Sequence, residues 1–210
     1  MSKASIGLVA CAIALSFTVQ AQKRTDQKTA EDTHSGSHSP QKGASAKPLT
    51  LPSLAIPDAQ VVDQNGQKQQ FYTDLVQGRT VVINLVFTTC KGMCPLLGAN
   101  FSKLQTVLGD RLGKDVFLIS VSTDPETDSP EKFKAWGEKF KAKDGWTLVT
   151  GEKAKLDSLL RVFSGDGPSK GYHAPSLCIF NDKTKTYRWA YGLEAPERVI
   201  QIIDELAQQK

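Results

Sequence analysis

Cys90 and Cys94 stand four apart in Thr89-Cys90-Lys91-Gly92-Met93-Cys94-Pro95, directly after an apolar run, and His173 lies far downstream beside another such run. Two soft sulfurs and one imidazole form a ligand set for copper. Thiolates select Cu(I), zinc or iron-sulfur clusters and neutral imidazole suits copper or zinc, whereas structural zinc takes four protein ligands and this sequence offers three candidates. The set points first to Cu(I).

The same spacing leaves a disulfide open. Residues four apart on a helix hold their Cβ atoms about 5 to 6 Å apart, whereas a disulfide needs roughly 3.8 Å, so a wholly helical pair cannot close. A proline disfavours helical backbone in the residue before it, which predicts Cys94 at a helix entrance with Pro95 in the first turn. Gly92 lets the intervening loop curl, so the sulfurs can grip one metal ion or pair with each other. A helix start also favours thiolate over thiol. Taken alone, His173 has the bland reading of a surface or core histidine. Its place between Gly171 and Ala174-Pro175, ahead of a core strand, puts it on an edge of the sheet.

Hydrophobic periodicity supplies the elements that must position these groups. Gln60 to Asp63 and Lys68 to Phe71 flank Gln64-Asn65-Gly66-Gln67, whose Asn-Gly predicts a hairpin with a type I′ turn. Thr80 to Phe87 and Val116 to Val121 are apolar, β-branched runs that read as strands covered on both faces. Leu97, Phe101, Leu104, Val107 and Leu108 recur at helical spacing between Pro95 and about Leu112. A helix carrying Phe133, Trp136 and Phe140 starts at Asp128 with Glu131, or at Ser129 with Pro130. A strand from Trp146 to Val149, a helix from Ala154 to Phe163, strands Ser176 to Phe180 and Tyr187 to Tyr191, and a helix from Pro196 to Gln209 complete the pattern. Alternating strands and helices mean an α/β domain with parallel pairing. Asp124 reads as a turn residue opening the loop before the second helix.

Residues 1–21 combine Lys3, an apolar stretch from Ile6 to Val19 and a small-residue cleavage site at Val19-Gln20-Ala21, the pattern of a secretory signal. The alternative is an uncleaved membrane anchor, against which the stretch is shorter than the ~20 residues that usually span. Leu8-Val9-Ala10-Cys11 also resembles a lipoprotein processing site but comes too early in the stretch. Residues 22–47 are polar and nearly free of large apolar side chains, a disordered linker by composition, with His34 and His38 read as solvated. The folded domain is expected over 48–210. Loss of the signal removes Cys11 and leaves Cys90, Cys94 and Cys178 in an oxidising compartment; Cys178, in an apolar strand, reads as a buried small hydrophobe. The net charge is +4 and the lysines are scattered, which excludes a nucleic-acid footprint.

From about Pro57 onward the chain resembles the Sco/SenC family, thioredoxin-like copper chaperones of cytochrome c oxidase assembly. Phe87-Thr88-Thr89-Cys90-Lys91-Gly92-Met93-Cys94-Pro95 is similar to the family's Cys-x3-Cys-Pro motif, Ser120 to Glu131 to its Asp-Pro segment, and Tyr172-His173 to its metal histidine. The resemblance implies a thioredoxin-like fold with a central mixed sheet flanked by helices and an N-terminal β-hairpin. It implies copper held by Cys90, Cys94 and His173, Cu(I) with Cu(II) also open. As partner it implies the cytochrome c oxidase subunit carrying the CuA site, with other copper chaperones or a thioredoxin-like reductant beside it, in the periplasm or at the outer face of the cytoplasmic membrane. Tyr172 stands where the family often has an acid, and Lys91-Gly92-Met93 replaces an acidic or hydroxyl-bearing spacer, changes that bear on the tuning of the site. Pro175 resembles the cis-proline that faces the cysteines of thioredoxins.

Two functions follow from these atoms. One is a copper metallochaperone. The other is a thiol-disulfide oxidoreductase in which Cys90 and Cys94 are the redox-active pair and reduce the acceptor's cysteines. A peroxide-reducing relative is disfavoured, because nothing beside Cys90 resembles a peroxidatic environment.

Overall fold

The computed structural model describes residues 54–164 and 176–209. The expected signal, the linker and the segment holding Tyr172, His173 and Pro175 lie outside the described residues. Among the described residues no helix is long and apolar enough to cross a membrane.

Strand β1 (Gln60–Asp63) pairs antiparallel with β2 (Lys68–Gln70). Their loop departs from the expected type I′ turn. Within it only Gly66 has a positive φ, +79°, and the Asp63 carbonyl accepts from the Gly66 N–H at 3.0 Å, a type I turn closed by a left-handed glycine. The Asp63 carboxylate decides the geometry by accepting from the Asn65 and Gln67 N–H groups at 2.8 and 2.9 Å, an Asx arrangement that competes with the primed turn.

Phe71, expected at the end of a strand, instead opens a π-helical turn over Phe71–Val76. The Asp58 carboxylate takes the Tyr72 and Thr73 N–H groups and the Thr73 hydroxyl. Phe71, Leu75 and Val76 are thereby buried.

The centre of the sheet is parallel. Strands β3 (Thr80–Val86), β4 (Val116–Ser122) and β5 (Trp146–Thr150) run side by side in register. Strand β6 (Ser176–Asn181) lies antiparallel to β3, and β7 (Thr186–Tyr191) antiparallel to β6. The order across the seven-stranded sheet is β2-β1-β5-β4-β3-β6-β7.

Helices α1 (Met93–Leu108), α2 (Pro130–Lys139) and α4 (Pro196–Ala207) cover one face, packing on Val82, Val86, Leu118 and Ile179. Helix α3 (Lys153–Phe163) and the π-helical turn cover the other, over Val81, Ile83, Ile119 and Val149. Val82 and Val86 face one way and Val81 and Ile83 the other, as the two-residue period of a strand requires. Each such fully buried side chain contributes roughly 1.5 to 3 kcal/mol, and this two-sided burial explains why the central strands read as unbroken apolar runs.

Helix α1 sits close to the end of α2. A Cβ on Gly98 would lie 2.6 Å from the Phe140 ring, so the glycine is what admits that ring. Val107, expected in the buried stripe of α1, is 45% exposed; the buried face turns instead through Leu97, Phe101, Leu104 and Leu108, with Asn100 and Gln105 beside them. Helix α2 starts at the second of its two expected positions: Ser129 caps it, its hydroxyl accepting from the Lys132 N–H at 3.3 Å, and Pro130 is the first helical residue.

The three parallel strands end on the same side of the sheet. Their C-terminal ends lead into the Cys90 loop, the Asp124–Asp128 loop and the turn before α3. Open α/β sheets gather their ligand sites at such ends.

Candidate functional site

Cys90 leaves β3 in a short loop and is half-buried; Cys94 lies within α1 and is 5% exposed. The helix starts earlier than the sequence predicts: Met93 is its first residue, so Cys94 is helical although Pro95 follows it. Pro95 lacks an N–H, but in the first turn that group has no helical partner in any case. The remaining steric preference against helical backbone before proline yields to burial of Cys94 with Leu97, Val86 and Phe101.

Cys90 lies outside the helix, so the pair escapes the constraint of a wholly helical spacing. The Cys94 N–H donates to the Cys90 sulfur at 3.4 Å. Both cysteines are free thiols in this structure.

The two thiols differ in acidity. Partial burial alone pushes the Cys90 thiol up. The Cys94 thiol and the N–H groups of Cys94, Gly92 and Met93, all aimed at the Cys90 sulfur, outweigh burial and hold it below the usual cysteine value. The Cys94 thiol is pushed up to about 12, by burial first and then by sharing its proton with the Cys90 sulfur. The start of α1 thus presents one half-buried, thiolate-prone sulfur and one sheltered thiol.

A buried carboxylate holds the approach to this loop. Asp128 is 3% exposed. Its Oδ1 accepts from the Thr88 N–H at 2.9 Å and the Thr88 hydroxyl at 2.5 Å, and its Oδ2 accepts from the Ser122 hydroxyl at 2.6 Å. The Asp128 carbonyl accepts from the Thr150 hydroxyl at 2.9 Å. One residue thereby ties together the ends of β3, β4 and β5. In the sequence Asp128 stood only as a helix-cap candidate, and no local signal there links it to Thr88.

The remaining candidates separate. Asp124 serves the turn: its carbonyl accepts from the Thr127 and Asp128 N–H groups. Cys178 is 1% exposed and sits in the core beneath α3, on the face opposite Cys94, where burial pushes its thiol up. Among the described residues no third His, Cys, Asp or Glu joins the two cysteines in a metal-holding group. His173, His34, His38 and Cys11 lie outside the described residues.

The family model described as SCO1/SenC matches residues 52–208, which takes in every element above. The chain belongs to the SCO1/SenC family. Among its relatives is a candidate copper-binding protein of Stutzerimonas stutzeri, 30% identical over 118 residues, covering 56% of this chain and 56% of that protein. The chain thus spans little more than half the length of that relative. A SCO1/SenC family lipoprotein from Bacillus anthracis superposes with a TM-score of 0.62 at 28% identity, over 74% of this chain and 96% of the other. ScoI of Bradyrhizobium japonicum, solved with copper bound, superposes with a TM-score of 0.58 at 20% identity, over 74% of this chain and all of the other. The mixed sheet with helices on both faces is the thioredoxin-like architecture of these SCO1/SenC structures.

Proposed function

We propose that this SCO1/SenC protein binds one copper ion through Cys90, Cys94 and His173. We further propose that it acts outside the cytoplasmic membrane and passes that ion to the CuA site of a cytochrome c oxidase subunit during assembly. The observation that carries the reading is the juxtaposition of the two sulfurs at the start of α1, with the Cys94 N–H only 3.4 Å from the Cys90 sulfur. Two thiolates and an imidazole suit Cu(I), and low coordination number makes ligand exchange with an acceptor's thiolates easy. The copper-bound ScoI relative and the candidate copper-binding relative support the same metal.

Topology supports the third ligand. Leu177 of β6 pairs with Asn84 of β3, so the chain enters β6 at the end of the sheet from which β3 leaves toward Cys90. His173 is three residues from Ser176, within at most about 10 Å of extended chain.

Anaerobic Cu(I) titration of the reduced protein against a competing chelator tests the site. One equivalent bound, and lost in each of Cys90→Ala, Cys94→Ala and His173→Ala, is the expected result; binding retained in any of the three removes that ligand from the site. Transfer of the ion to an apo CuA domain tests the delivery step.

The unequal acidity of the two thiols favours a second reading, the thiol-disulfide oxidoreductase. Cys90 attacks an acceptor disulfide, Cys94 resolves the mixed disulfide, and two electrons and two protons pass to the acceptor cysteines as the Cys90-Cys94 bond forms. His173→Ala separates the two readings: the chaperone reading expects copper affinity to collapse with the fold unchanged, whereas the oxidoreductase reading expects dithiol exchange to stay mostly intact.

A further inference from the structure

The loop that carries Cys90 is held by a carboxylate that stands outside the proposed ligand set. We propose that Asp128 is a positioning residue. By fixing Thr88 against the ends of β4 and β5, it keeps the Cys90 sulfur beside Cys94 and so sets both the dithiol-disulfide equilibrium and the hold on a bound metal ion. The copper part rests on the site proposed above; the redox part does not.

Thr88 stands two residues before Cys90 and gives Asp128 two hydrogen bonds, one from its backbone and one from its side chain. The backbone bond fixes where the chain leaves β3. The Cys90 N–H closes the next turn onto the Phe87 carbonyl at 3.3 Å, so a shift at Thr88 passes directly to the sulfur. On the other side, the Ser122 hydroxyl fixes the second carboxylate oxygen, and Thr150 fixes the Asp128 backbone. Ser122 and Asp128 are 0% and 3% exposed. All of these donors are neutral, so removing the carboxylate strands the Thr88 and Ser122 donors in a buried site and frees the loop.

The consequence is a change in effective concentration. Two thiols held adjacent meet far more often than two on a loose loop, and the advantage appears in any equilibrium that joins them, through a disulfide or through a shared ion. Releasing the anchor weakens both.

The test is equilibration of the metal-free protein with a glutathione redox buffer, in which dithiol and glutathione disulfide give protein disulfide and two glutathione thiols. Asp128→Ala is expected to lower the equilibrium constant for disulfide formation by about fivefold or more. Asp128→Asn, which keeps an acceptor for Thr88, restores most of it. Asp182→Ala, which removes a comparably buried carboxylate at the far end of the sheet, serves as the control for stability alone and leaves the constant unchanged. Should Asp128→Ala fail to fold, the Thr88→Ala and Ser122→Ala double variant reads the same quantity. A fall smaller than about fivefold in Asp128→Ala, or in the double variant where Asp128→Ala does not fold, or an equal fall in Asp182→Ala, overturns the proposal. A wild-type protein that bound no copper would sink the metal site and leave this result standing.

Discussion

Asp128 and Asp182 are the same device at opposite ends of one sheet. Asp182, 5% exposed, accepts from the Gly78 N–H at 2.7 Å and the Tyr72 hydroxyl at 2.8 Å, and it pairs with Lys185. Asp128 likewise gathers one N–H and two hydroxyls. The difference lies in what each set of bonds restrains. At the far end the partners are a π-helical turn, the start of β3 and the β6–β7 turn, none of which carries a reactive group. At the near end the partner is the entry to the Cys90 loop. A buried carboxylate is a general means of fastening strand ends; chemistry arises at the end where the fastened segment presents a nucleophile and a helix begins.

The far-end clamp should act on stability alone. Asp182→Ala leaves the Tyr72 hydroxyl and the Gly78 N–H without their acceptor and the Lys185 ammonium with only the Tyr72 oxygen, and a loss of about 1 to 3 kcal/mol in urea unfolding is expected. A loss below about 0.5 kcal/mol would erase the contrast between the two ends.

Acid sharpens the comparison. Burial raises the Asp182 carboxyl, but the Gly78 N–H, Lys185 and Tyr72 outweigh burial and hold it below the usual value of 3.8. A carboxyl depressed in the folded state stabilises the fold above its unfolded pKa, and that contribution disappears as pH falls from about 4 through the folded value. Wild type should therefore lose stability below about pH 4 more steeply than Asp182→Asn. Parallel curves would assign the acid response to other carboxyls.

The elements were legible where the signal is local. The hairpin, the three parallel strands and the Ser129-Pro130 start of α2 follow from periodicity and turn residues that lie within a few positions of one another. The failures share a cause. The π-helical turn depends on the Asp58 carboxylate reaching Tyr72 and Thr73 across 14 and 15 residues. The helical state of Cys94 depends on burial against residues of other elements, and Asp128 meets Thr88 across 40 residues. At the site, the meeting of Cys90 and Cys94 was readable because their spacing and the glycine between them are local. The carboxylate behind them was not, because an aspartate before a helix has a sufficient local explanation and its real partner appears only after folding.

The three cysteines among the described residues offer a second way to break the comparison, this time between the near end and the middle of the sheet. Cys90 is half-buried with its acidity enhanced, whereas Cys94 and Cys178 are buried and raised. Iodoacetamide should label Cys90 first, with a pH midpoint below the roughly 8.5 of a free thiol, and Cys178 only on unfolding. Equal labelling of Cys90 and Cys178 in the native protein would refute the assignment of reactivity to the helix start. Cys178→Ala should leave the labelling of Cys90 unchanged.

The smallest expected effect is the most discriminating, because it falls on the residue next to Asp128. Ser129 shares the same loop, yet its hydroxyl serves the Lys132 N–H, at 3.3 Å, and the Glu131 carboxyl, and touches neither Thr88 nor Ser122. Ser129→Ala removes a helix cap and should cost about 0.5 to 1 kcal/mol in thermal or urea unfolding. It should leave the glutathione equilibrium of Cys90 and Cys94 where it was. If loosening α2 from its first turn moved that equilibrium as much as Asp128→Ala does, the loop would be responding to the general rigidity of the segment rather than to the carboxylate. The near end of the sheet would then differ from the far end only in the residues it happens to carry.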